Sequence, residues 1–165
     1  DPNKFYKNIA DLIRYIIEEK GLNVHLVPHI HSDYNCIVEI LSHLSDKHIR
    51  NNIMIESLEQ SNSGMNHMIS SYGNAEYVIA CRLHANVVSL CCKSKVLAIA
   101  TLDRIRELYR KYGIEQNCTD VTSDFKESFD QLCKNSSVPN LEKINLDKLK
   151  TIKTYSGLLK KFGII

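Results

Sequence analysis

Between residues 75 and 100 the chain reads as three largely apolar runs, 75–81, 85–92 and 96–100, each separated from the next by only three residues. The outer two are short enough for buried strands. The middle one is apolar nearly all round and predicts a helix that must be covered on more than one side. The junction between the first two is Arg82-Leu83-His84. Ligands of open α/β sheets dock beyond strand carboxyl ends, where helix N-termini present unpaired N–H groups, so a strand that ends in cations and opens a helix builds an anion site. If the backbone stays extended through His84, Arg82 and His84 share one face and Leu83 takes the other. Arginine would grip a carboxylate or phosphate in a bidentate fork, and histidine would hold charge or move a proton near neutral pH. The competing reading is a solvated loop arginine beside a satisfied histidine.

The same alternation runs through the chain. Asp1-Pro2 reads as an N-cap and first helical residue, followed by a stripe of Phe5, Ile9, Leu12, Ile13 and Ile16 that Gly21 ends. Residues 23–28 read as a strand. Ser32 or Asp33 caps a helix carrying Tyr34, Ile37, Val38 and Leu41, and residues 52–55 form a second strand. Ser63-Gly64 opens a helix striped by Met65, Met68, Ile69 and Tyr72 that Gly73 stops. Beyond the central runs come a helix from Asp103 to Tyr112, a brief strand over 118–121, a helix capped by Ser123, a loose polar stretch over 135–145 and a last helix striped from Leu149 to Phe162. Strands alternating with helices demand a parallel sheet covered on both faces, so residues 1–165 are expected to form one α/β, Rossmann-like three-layer domain with a mostly parallel sheet of about five strands.

Composition removes several classes of function. A net charge of +2 gives no nucleic-acid or membrane-surface footprint, and no apolar stretch is long enough to cross a bilayer. The six cysteines lie mostly in apolar segments without paired spacing, which fits reduced core thiols and a cytoplasmic setting. His29, His31 and Asp33 have a metal-like spacing but no further ligands to complete a set, so no metal is expected. His25 reads as a core histidine. Around Gly64, an ordinary N-cap outweighs a phosphate cradle. The start at Asp1, without an initiator Met, reads as that of a piece of a longer protein.

With these residues in view, the chain resembles the C-terminal half of the polysaccharide pyruvyl transferase family. The match is an ordered series: residues 24–29 with Asp33 beyond, residues 75–86 with their Arg82-Leu83-His84, and residues 96–100 followed by Asp103 and a helix ending at Gly113. Lys93-Ser94-Lys95 stands where the family usually has a Gly-Val-Pro-like turn, and Arg104 where it usually has lysine. The resemblance implies one domain of a two-domain, GT-B-like enzyme, here a C-terminal fragment whose first strand and N-terminal domain lie before Asp1. It also implies transfer of a pyruvyl group from phosphoenolpyruvate to two hydroxyls of a sugar or lipid-linked glycan in cell-surface or exopolysaccharide biosynthesis, without a cofactor. Such an enzyme would be cytoplasmic, in full length also peripheral at the inner face of the membrane.

Carried onto this chain, Arg82 and His84 are the catalytic candidates. Arg82, His84, Ala85, Asn86, His29 and Arg104 are the donor-binding set. The isolated chain is expected to be inactive and prone to self-association. Two alternatives remain: a nucleotide-sugar-binding domain of a GT-B glycosyltransferase, and a non-catalytic Rossmann-like interaction module.

Overall fold

The structure, a computed structural model, describes residues 1–59, 61–134 and 141–164. Helix α1 (Pro2–Lys20) starts where the Asp1 carboxylate accepts from the Asn3 N–H at 3.0 Å, and it ends at Gly21, whose φ of 65° is the left-handed turn that glycine tolerates best. Then follow β1 (Val24–Leu26), α2 (Asp33–Ser42), α3 (Asp46–Asn52), β2 (Ile53–Ile55), α4 (Asn62–Asn74), β3 (Tyr77–Ala80) and α5 (Leu83–Cys91). The remainder is β4 (Lys95–Ala100), α6 (Asp103–Tyr112), a 3-10 turn over Glu115–Asn117, β5 (Cys118–Asp120), α7 (Phe125–Lys134) and α8 (Leu141–Lys161).

All strand pairs are parallel, as expected for strands linked by helices, and the fold is mixed α/β, consistent with a Rossmann-like unit. The five strands do not, however, form one sheet. β1 pairs with β2, with Val24 opposite Ile53, and a separate sheet runs β3-β4-β5, with Val78 opposite Val96 and Ile99 opposite Thr119. The expected single five-stranded sheet is therefore two, of two and three strands. The physical reason is a cleft between the β1 and β3 edges that keeps their backbone groups from meeting.

β4 is the centre of the core, and its alternation sorts the helices onto two faces. Val96, Ala98 and Ala100 pack with Tyr72 of α4, Ala85 and Leu90 of α5 and Ile105 and Tyr109 of α6. Leu97 and Ile99 point the other way, onto Leu12 and Ile16 of α1 and Phe125 and Phe129 of α7. Helices α2 and α3 lie against α1.

Other departures are local. Helix α3 runs to Asn52, which was expected to open a strand, and α8 begins at Leu141, earlier than its apolar stripe suggested. Residues 135–140 of the expected polar stretch lie outside the described residues. The α8 stripe is open to solvent, with Leu149, Ile152 and Tyr155 all exposed. His25 is exposed and paired with Glu56 at 3.0 Å, so it is not a core histidine. The six cysteines are free thiols, but Cys91 is exposed and the others are only half-buried. Among the described residues, no helix is long and apolar enough to cross a membrane.

Candidate functional site

The turn from β3 into α5 is built by a buried amide. Arg82 is the N-cap, extended at φ −101° and ψ 142°, and the helix begins at Leu83. His84 therefore lies in the first helical turn, and the backbone is not extended through it. Asn86 explains why. Its N–H donates to the Arg82 carbonyl at 3.1 Å, closing the first turn, and its fully buried side chain donates to the carbonyls of Ala80 at 3.2 Å and Arg82 at 2.8 Å. The Asn86 carbonyl oxygen accepts from the Tyr109 hydroxyl at 2.7 Å. Every polar group of this side chain that faces the core is satisfied, as burial demands. The Asn86 backbone amide is thus spent within the helix and is not a donor for a ligand. The N–H groups of Leu83, His84 and Ala85 precede the first intrahelical bond and remain the open end of α5. A polar residue inside an otherwise apolar run was the sequence signal for this staple.

Arg82 meets Asp33, the first residue of α2, across the gap between β3 and β1. The guanidinium donates from Nε to Asp33 Oδ2 at 3.1 Å and from Nη2 to Oδ1 in a closer contact. Oδ2 also accepts from the backbone N–H groups of His29 at 2.8 Å and Ile30 at 3.2 Å. Burial works against the charge on Asp33. The Arg82 fork and the two backbone donors outweigh it and hold the carboxyl below its usual range, while the same fork raises Arg82. A guanidinium has two bidentate edges. Asp33 occupies the Nε/Nη2 edge, so the plane is fixed and the Nη1 side has no partner among the described residues.

His29 leaves β1 toward the same edge. Its Nε2 is joined to the Tyr72 hydroxyl at 2.5 Å. Burial lowers the His29 pKa, with the charges of Arg82 and His84 acting the same way and Asp33 opposing them, and burial pushes Tyr72 up to about 12. At neutral pH the pair is therefore an uncharged imidazole and an intact phenol. His84 is exposed and carries no hydrogen bond among the described residues. Ala85 is buried beneath the turn. Arg104, in the first turn of α6, is exposed, makes no ion pair among the described residues and does not line the cleft beside Arg82.

An N-cap does open α4, but it is Ser61 rather than the expected Ser63-Gly64 step, and its Oγ accepts from the Gly64 N–H at 3.0 Å. The Ser61 and Ser63 hydroxyls donate to Glu59 at 2.7 and 2.8 Å and depress its pKa, so an internal carboxylate already sits at this helix start. His29, Asp33, Arg82 and Ala85 line one end of a cleft of about 1030 Å³. His29 also borders a smaller hollow of about 410 Å³ in front of Glu56 and Glu59. Asp33 and Tyr72 are the partners that sequence reasoning left unassigned. Asp33 was weighed only as a cap or metal ligand and Tyr72 only as part of an apolar stripe.

This geometry falls inside the region matched by a family model. Residues 1–104 match the model of polysaccharide pyruvyl transferase, a span that runs from α1 to the start of α6 and includes His29, Asp33, Tyr72, Arg82 and His84. The chain belongs to the polysaccharide pyruvyl transferase family. Neither a search of curated proteins nor one of solved structures gave a match. For a pyruvyl transferase the match ends at Arg104, so β5, α7 and α8 lie outside the family's matched region.

Proposed function

We propose that this chain is the donor-binding domain of a ketal-forming pyruvyl transferase, and that the donor is phosphoenolpyruvate. The observation that carries the reading is the guanidinium of Arg82, fixed in plane by Asp33 with its other edge open, between the imidazoles of His29 and His84. A small molecule with both a carboxylate and a phosphate is the natural complement. One anionic group takes the open edge of Arg82, and the other takes the free N–H groups at the start of α5. Arg104 would serve only as a peripheral cation.

In this reading His84 gives a proton to the donor's methylene carbon, which becomes a methyl group, and the cationic centre at C2 gains the two sugar oxygens. Phosphate leaves with the oxygen that linked it to C2. Of the two hydroxyl protons, one restores His84 and one departs with phosphate. Arg82 and the amides stabilise the leaving charge. His29 is neutral and engaged with Tyr72, so it orients the donor and leaves proton transfer to the exposed His84.

The test is ligand-induced stabilisation of the full-length protein. At about 100 times its dissociation constant a ligand adds about 2.7 kcal/mol, which at this size raises Tm by about 5–10 °C. Phosphoenolpyruvate should do so, and Arg82→Ala should abolish the shift. A shift with a uridine or guanosine diphosphate sugar, and none with phosphoenolpyruvate, would overturn the reading.

A further inference from the structure

The direction of the bond between His29 Nε2 and the Tyr72 hydroxyl sets the state of the whole imidazole. Tyr72 is firmly placed. It stands near the end of α4, only 6% exposed, in one core cluster with Val78, Val96 and Tyr109, and its carbonyl accepts from Ser94 Oγ at 2.7 Å. A phenol has one proton to donate, and an imidazole nitrogen is a far stronger base than a phenol oxygen, so the O–H points at Nε2. The hydroxyl has no other partner among the described residues, and the reverse arrangement would leave a buried donor without an acceptor. Burial keeps the proton on the phenol and the imidazole uncharged, against the nearby charges of Asp33, Arg82, His84 and Glu56. A neutral imidazole that accepts at Nε2 carries its single proton on Nδ1.

That second nitrogen has no partner among the described residues. The buried side-chain atoms left in that state are His48 Nδ1 and Ser89 Oγ; His29 Nδ1 is not one of them, so it reaches open space. His29 borders both the 1030 Å³ cleft and the 410 Å³ hollow. Its backbone N–H donates to Asp33 Oδ2 at 2.8 Å, and the same carboxylate fixes the plane of Arg82. The residue is thus held twice, by Asp33 through the backbone and by Tyr72 through the ring. One free N–H remains, at the edge where Arg82 keeps its open side.

We infer that Tyr72 is a positioning residue of the anion site: by donating to Nε2 it fixes His29 as the Nδ1–H tautomer, which gives the bound anion a neutral N–H donor beside the Arg82 guanidinium. The inference rests on the reading of this edge as the phosphoenolpyruvate site and adds to it a residue that acts through another. A histidine side chain free in water favours the opposite tautomer, with the proton on Nε2. That form would turn the Nδ1 lone pair toward the anion, acceptor against acceptor, so the Tyr72 hydroxyl converts a repulsive contact into a hydrogen bond. With Nδ1 protonated and Nε2 engaged, neither nitrogen is open to take a proton from a sugar hydroxyl, so His29 is no general base.

Nitrogen NMR on protein labelled at its histidine rings reads the tautomer without any ligand, with His29 assigned by the signals that vanish in His29→Asn. Near neutral pH the native protein should show a protonated Nδ1 and a bare Nε2. Tyr72→Phe, which keeps the ring in the core, should shift His29 toward the Nε2–H form. Titration calorimetry should give about tenfold weaker phosphoenolpyruvate binding for Tyr72→Phe, the loss of one hydrogen bond to a charged group. The side chain of His29→Asn carries an amide N–H close to the position of Nδ1 and has no tautomer to fix, so Tyr72→Phe should cost nothing further in that background. A merely structural Tyr72 would weaken binding equally in both backgrounds, and that result would overturn the inference. An Nε2–H ring in the native protein, or an Nδ1–H ring that persists in Tyr72→Phe, would overturn it equally. Phosphoenolpyruvate that fails to bind the native protein would refute the donor reading, and the two tautomer measurements then decide the part of Tyr72 by themselves.

Discussion

Asp33 either competes with the donor for Arg82 or aims Arg82 at it, and Asp33→Asn separates the two. In the native fork Oδ2 takes three donors, the N–H groups of His29 and Ile30 and Nε of Arg82. The asparagine carbonyl oxygen must stay there, which leaves its NH₂ facing Nη2 of Arg82, donor against donor. The guanidinium loses one arm of its fork and swings free. An arginine side chain carries about 2 kcal/mol of rotamer entropy, so re-ordering it on binding costs up to roughly that. Against this stands the relief of repulsion between Asp33 and a dianion on the far edge of the guanidinium, about 7 Å away by two hydrogen-bond lengths and the guanidinium's width. The Arg82 side chain is 43% exposed, so the medium is close to water. The relief is then about 0.6 kcal/mol per charge before screening, and about half that in physiological salt. Aiming wins by about 1 to 1.5 kcal/mol. Titration calorimetry of the full-length protein with phosphoenolpyruvate should therefore give about tenfold weaker binding for Asp33→Asn, with Asp33→Ala at least as weak. Unchanged or tighter binding would refute the positioning argument and make Asp33 a competitor.

Three further outcomes follow from the same coordinates. Asn86→Ala leaves the buried Tyr109 hydroxyl without its acceptor and should cost about 3 kcal/mol, or about 6–12 °C in the Tm of this domain. Tyr109→Phe should cost about 1 kcal/mol in the native background and be neutral or stabilising in the Asn86→Ala background; equal costs in both would show that the two side chains are uncoupled. Gly64→Ala would bring a Cβ within 2.2 Å of the Glu59 carbonyl oxygen, so the cap of α4 must shift, and thermal unfolding should fall by roughly 3–10 °C; an unchanged Tm would mean the loop yields freely. His29 has a folded pKa below its unfolded value of about 6.5, so the unfolded state binds the extra proton and stability declines as pH falls from about 7 through the depressed value. His29→Gln should flatten that slope in urea titrations at pH 5 to 7, and a slope unchanged by the substitution would place the titration elsewhere.

What could be read from the chain, and what could not, divides by range. The stripe of α1, the spans of α6 and α7, the buried run of β4 and the stops at Gly21 and Gly113 are local matters, written in spacing, whereas α4 runs through Gly73, expected to stop it, to Asn74. The turn at Arg82-Leu83-His84 was legible because a polar step between two apolar runs marks a strand-to-helix junction. Its neighbours were not. Asp33 is 49 residues from Arg82 and Tyr72 is 43 from His29, so each pairing depends on how β1, α4 and β3 are laid side by side. The backbone at His84 was misjudged because Asn86 closes the helix one turn sooner than alternation implies. Sheet membership was the least local matter of all, since it depends on which edges meet. Five apolar runs identify five strands but not which of their edges meet.

The divided sheet and the anion site have a common origin. On one face the crossovers lead away from the cleft toward β2, and on the other they lead away from it toward β5. At the cleft two helix starts stand together, α1 with Asp1 and Pro2 and α5 with Arg82 and Ala85 all on its lining. The ends of β1, β3 and β4 lead through helices to their neighbours β2, β4 and β5. Where the direction reverses, the two helix starts splay apart and the edge stays open to a ligand. An arginine placed there reaches solvent on one side and the opposite sheet on the other, which is why Arg82 can hold Asp33 beyond β1 and still keep one edge for an anion.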